Sequence, residues 1–121
     1  MKLEYTPEAI SDLREIRRYI KRDLHNPKAA MRVSKAILDA CSSLKAFPEM
    51  GMSVEAKTGF ETDLRILFCE SWAAVYCVDA DSDAVSVARI IDARQDYVRV
   101  LFGEMDSVPA AREEKSEEEL T

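Results

Sequence analysis

The chain has 121 residues, of which 47% are apolar and 33% charged. That size and balance suit one globular domain and exclude both a multi-domain architecture and disorder throughout. Its 17 basic and 23 acidic side chains leave a formal net charge of −6, which argues against a protein that coats phosphate backbones. The acidity is uneven, however. Residues 1–103 carry 15 Lys and Arg against 16 Asp and Glu, whereas residues 104–121 carry two bases, Arg112 and Lys115, against seven acids. Three cysteines (Cys41, Cys69, Cys77) without CxxC spacing, beside one histidine, make neither a disulfide framework nor a metal site. No window approaches the ~20 apolar residues of a membrane span. A soluble, reduced, cytoplasmic protein with no membrane partner is expected.

Residues 2–5 (KLEY) are a short strand candidate. Thr6 and Pro7 then give an N-cap and a first-turn proline, the start signal of a helix. From there Ile10, Leu13, Ile16, Ile20 and Leu24 fall at the three-and-four spacing of one helical face. Asn26 and Pro27 repeat the start signal, and Ala30, Val33, Ile37, Ala40, Cys41, Leu44 and Phe47 carry a second stripe up to Pro48. So short a connection folds the two helices into an antiparallel hairpin. Pro48 to Gly59 reads as a loop. Glu61–Cys69, Trp72–Val78 and Ala84–Ile91 are then three strands of an antiparallel meander. Tyr97 to Phe102 can add one or two helical turns before Gly103. The expected fold is α+β, β-α-α-β-β-β, with the hairpin on one face of an antiparallel sheet and a short C-terminal helix. Residues 1–103 form the domain. Residues 104–121, poor in apolar side chains and rich in like charge, are expected to be a mobile acidic tail that screens basic surfaces or aids solubility.

P-loop, GxGxxG, GxSxG and HExxH signatures are all lacking, which removes several enzyme classes, and no cofactor is called for. His25 stands at the end of the first helix, where a ring N–H can meet orphan carbonyls. Asp79, Asp81 and Asp83 lack the glycine and glutamate of a calcium loop and read as a hairpin turn. Arg14, Arg17, Arg18, Lys21 and Arg22 line the polar side of the first helix. They form either a solvated face or a docking surface for an acidic segment or for phosphates. Arg89 should lie within the last strand and Arg94 just beyond it.

Taken together, TPEAISDLREIRRYI (6–20), DLHNPKAA (23–30), LKAFPEMG (44–51), TDLRIL (62–67), VYCV (75–78) and RIIDARQDY (89–97) resemble toxins of the RelE/ParE superfamily. The resemblance spans about residues 1–103 and implies one half of a type II toxin–antitoxin, or plasmid stabilisation, pair, neutralised by a cognate antitoxin protein. RelE-like members cleave mRNA on the ribosome, a reaction that needs a base, cations for the phosphorane and an acid for the leaving oxygen. ParE-like members poison DNA gyrase. On the nuclease pattern Arg65 and Arg94 would hold the phosphate and Tyr97 would stack on a base. Leu67 and an alanine, Ala73, stand where two further cations belong, and Val100 occupies the more literal place of the acid–base residue. The incomplete set shifts the reading toward the ParE-like branch, with Arg65, Arg89, Arg94 and Tyr97 as target contacts. The plainer role for Arg65 and Arg94 is scaffolding through Asp63, Asp92 or Asp96. A non-toxic, antitoxin-binding relative is the third possibility.

Overall fold

The computed structural model describes residues 1–94; the expected C-terminal turns, Tyr97 and the acidic tail lie outside them. Strand β1 (Lys2–Tyr5) leads into helix α1 (Pro7–Arg18), which widens into a π-helical turn at Tyr19–Asp23. Thr6 caps α1 by accepting from the Ala9 N–H at 3.1 Å, and its hydroxyl also donates to Ala88 O at 2.8 Å, tying the helix start to the last strand. Two of the expected core positions differ. Ala9 is fully buried, whereas Ile10 and Leu24 are 41% and 55% exposed. The stripe therefore starts one residue earlier than expected, and the wider π turn carries Leu24 out of it. His25 takes φ 51° and ends the helix by its backbone, while Asn26 N donates to Ile20 O at 3.1 Å.

Helix α2 (Pro27–Ser42) is capped by Asn26, whose side chain accepts from Ala29 N at 3.0 Å. Ala30, Val33, Ile37 and Cys41 are buried beneath it, and Leu44 continues the stripe in a 3-10 turn (Ser43–Lys45). Beyond that turn the helical period is lost, and Phe47, expected in the core, is 65% exposed. The segment read as a loop holds a two-residue strand β2 (Met52–Ser53) and a one-turn helix α3 (Val54–Thr58), closed by Gly59 at φ 81°. Strands β3 (Arg65–Cys69), β4 (Trp72–Asp79) and β5 (Ala84–Asp92) form the expected meander.

The sheet order is β1-β5-β4-β3-β2. Here the all-antiparallel expectation is corrected: β1 lies parallel to β5, Lys2 opposite Ala84 through Tyr5 opposite Val87, so the sheet is mixed. The connection that a parallel pair requires runs through the hairpin and then β2 to β4. It covers one face of the sheet, where Ile16, Ile20, Ile37 and Leu44 meet Ala74, Tyr76, Val85, Val87 and Ile90. On the opposite face Val54 of α3 packs with Ile66, Ala73, Val75 and Ile91. Each such large side chain contributes about 1.5–3 kcal/mol when fully buried.

Candidate functional site

Arg65 opens β3 and turns toward the segment that follows α2. Its Nε and Nη2 donate to Gly51 O at 3.0 and 2.6 Å, and Nη2 also donates to Glu49 O at 3.0 Å. Beside it Tyr76, fully buried, donates its hydroxyl to Pro48 O at 2.8 Å and accepts from Gly51 N at 2.9 Å. Tyr76 ties the two ends of the run 48–51 together, and Arg65 holds its Glu49 and Gly51 carbonyls. Gly51 fits because it has no Cβ: one placed there would stand 2.6 Å from the Tyr76 oxygen and 2.8 Å from Ile66 O. The anchored segment displays Phe47 and Met50, 65% and 48% exposed, around an open apolar hollow of about 510 Å³ lined by Ala46, Phe47, Pro48, Glu49 and Met50.

Arg89 lies elsewhere. The ladder between β4 and β5 slips at Val75/Tyr76, which face Arg89 and Val87 respectively and leave Ala88 as the extra residue of a bulge. Past Tyr5 the outer edge of β5 has no strand beside it among the described residues, and α1 supplies an acceptor there: Asp12 Oδ2 takes the Ile90 N–H at 2.9 Å. The same carboxylate holds Arg89 through Nε at 2.7 Å and Nη2 at 3.2 Å. That hydrogen bond raises the guanidinium's pKa above its ordinary value. Asp12 was not singled out in the sequence, although its position three residues after buried Ala9 and four before buried Ile16 places it on the inward side of α1.

Arg94 follows the end of β5 and is clamped by Asp92, Nε to Oδ1 at 3.0 Å and Nη2 to Oδ2 at 2.7 Å. The contact holds the Asp92 carboxyl below the usual carboxylate range. Arg65 faces Tyr76 across the sheet whereas Asp92 faces Trp72. Four residues of β4 at ~3.3 Å each therefore separate Arg65 from Asp92, the partner of Arg94, by ~13 Å along the strand. Arg65, Arg89 and Arg94 thus occupy three separate places, each engaged with its own chain. Tyr97 is outside the described residues. Leu67 packs against the hairpin-side core and Ala73 is buried in the opposite cluster, so apolar packing fills both positions where cations were sought. Asp79 Oδ1 accepts from Asp81 N and Ser82 N, making the hairpin turn read from the sequence. Among the described residues no group of three His, Cys, Asp or Glu side chains is placed to hold a metal ion.

On α1 and its π turn, Arg14, Arg17, Arg18, Lys21 and Arg22 are all exposed. Arg18 is paired with Glu15; none of the other four forms an ion pair with a described residue.

Residues 3–97 match the family model for the ParE toxin of type II toxin–antitoxin systems, parDE. The chain belongs to the ParE toxin family. A solved structure of the chromosomal ParDE toxin–antitoxin system from P. aeruginosa is similar in fold, with a TM-score of 0.63 and 21% sequence identity over 76% of this chain and 95% of that one. No curated protein matches the sequence. This ParE-family chain is therefore a type II toxin component with a helical pair on a mixed five-stranded sheet. No described helix is long and apolar enough to cross a membrane.

Proposed function

We propose that this ParE-family toxin acts by protein contact, with DNA gyrase as its target, and that a cognate antitoxin neutralises it. The observation that carries the reading is the use made of Arg65. Its Nε and Nη2 donate to the carbonyls of Glu49 and Gly51, and the segment they fix presents Phe47 and Met50 to solvent. An anchored backbone with exposed apolar side chains suits an interface better than phosphoryl chemistry. A phosphorane needs several cations converging on one group, and ~13 Å of strand between Arg65 and Asp92, which holds Arg94, works against that. The antitoxin is expected on the hairpin, where Met31 and Leu38 of α2 are exposed at helical spacing and suit an amphipathic segment.

Purified full-length protein is expected to inhibit gyrase supercoiling and to leave ribosome-bound mRNA intact. Phe47→Ala with Met50→Ala should weaken the inhibition at least tenfold while the protein stays folded. Ribosomal mRNA cleavage that Arg94→Ala abolishes would establish the nuclease reading instead. Growth unaffected by strong induction without an antitoxin would mark a non-toxic relative.

A further inference from the structure

We propose that the acidic C-terminal segment, carrying Glu113, Glu114, Glu117, Glu118 and Glu119, docks on the basic face of α1 in the same molecule. The inference concerns a different surface from the Phe47–Met50 hollow and holds whichever target the toxin has. Four of the five cations on this face have no ion-pair partner among the described residues, and Glu15 answers only Arg18. Residues 104–121 carry seven acids against two bases, the opposite sign in the same chain.

The course of the chain brings the two together. Helix α1 runs alongside β5 in the same direction. Thr6 bonds at Val87 and Ala88, and Asp12 bonds at Ile90. The continuation of α1 through Tyr19 therefore lies toward the end of β5. The described residues thus end at Arg94, on the side toward which α1 and its π turn run. Arg14 to Arg22 span about 12 Å at 1.5 Å per residue. The nineteen residues from Arg94 to Glu113, at up to ~3.3 Å each, cover that distance by many paths. Tethering also gives the contact a millimolar effective concentration, so weak exposed pairs suffice when several act together. While seated, the segment shields the face from phosphates and from acidic partners.

The test is carbodiimide coupling, which joins a carboxylate to a lysine amine, on dilute full-length protein with the linked peptides mapped by mass spectrometry. Lys21 is the one amine on the face. Links from residues 113–119 to Lys21 are expected about fivefold more often than links to Lys35 or Lys57, at a yield independent of protein concentration. They should vanish near 1 M salt, where screening falls to ~3 Å. Replacing Arg14, Arg17, Arg18 and Arg22 by Gln in the full chain should bring Lys21 down to the level of Lys35 with the circular dichroism spectrum unchanged. Links spread evenly over the lysines, or links that survive 1 M salt or rise with protein concentration, would overturn the proposal. The wild-type salt series decides the question even where the quadruple variant fails to fold.

Discussion

Arg65→Ala separates an anchoring arginine from a target ligand. The wild-type guanidinium makes three contacts with two carbonyls, Gly51 O at 3.0 and 2.6 Å and Glu49 O at 3.0 Å. A hydrogen bond to a charged group contributes about 1.5–3 kcal/mol net when shielded. Because Glu49 is exposed, water replaces part of its lost contact, and the whole substitution is expected to cost about 2–3 kcal/mol. For a domain of this size that corresponds to a fall in Tm of about 8–12 °C. Arg65→Lys supplies one point donor where a planar fork spanned two acceptors, and should recover about half of the loss. Urea unfolding followed by circular dichroism measures both changes, with an unaltered m-value showing that the native and denatured states are otherwise the same. Growth inhibition measured well below the lowered Tm should persist in Arg65→Lys. A loss of less than about 0.5 kcal/mol together with abolished toxicity would refute the anchoring role and make Arg65 a residue that touches the target.

Asp12→Ala should destabilise more than Arg89→Ala in the same urea assay, by about 1–2 kcal/mol, because it frees the arginine and also orphans the Ile90 N–H. Tyr76→Phe removes both the donor to Pro48 O and the acceptor for Gly51 N, and should cost about 2 kcal/mol; Gly51→Ala should cost more, since the backbone oxygen of Ile66 cannot retreat as a flexible side chain would. Burial raises the Cys41 thiol from 9.0 to about 11, against a hydrogen bond from Tyr5 that lowers it and with a smaller upward push from Cys69. The folded state therefore keeps this proton longer than the unfolded chain: the stabilisation is complete below pH 9 and is lost as pH rises toward about 11. Cys41→Ala should flatten that alkaline fall in a pH series of urea midpoints. Arg94→Ala should bring the depressed Asp92 pKa back toward the ordinary carboxylate value in an NMR titration, since Arg94 is the principal cause of the depression.

What could be read from the sequence was local. Thr6-Pro7 and Asn26-Pro27 mark both helix starts because a capping oxygen and a proline act within one turn, and the apolar runs of β3 to β5 carry their own period. The pairing of β1 with β5 had no local signal, since nothing in KLEY states which strand it will meet or in which direction. The widened turn at Tyr19 displaced Leu24, and the 3-10 turn after α2 released Phe47. In both cases a change of helical pitch broke an extrapolated stripe. At the candidate site Arg65, Arg89 and Arg94 were visible as residues, but their partners were not. Two backbone carbonyls, an aspartate on a helix and a neighbouring aspartate became visible only with the chain folded. Asp12 is the exception that a closer reading would have found, as an acid set between Ala9 and Ile16.

The parallel seam between β1 and β5 also governs the order in which the molecule can assemble. Lys2 meets Ala84, 82 positions later in the chain, and such distant contacts are slow to form because a long loop must close before they stabilise anything. During synthesis the first strand waits for nearly all of the described chain, and so does the Asp12 carboxylate, whose partners Arg89 and Ile90 arrive at the same late moment. A nascent chain stopped in β4 has its helices and half its sheet but neither closure. Closure of the described fold therefore waits until β5 has been made.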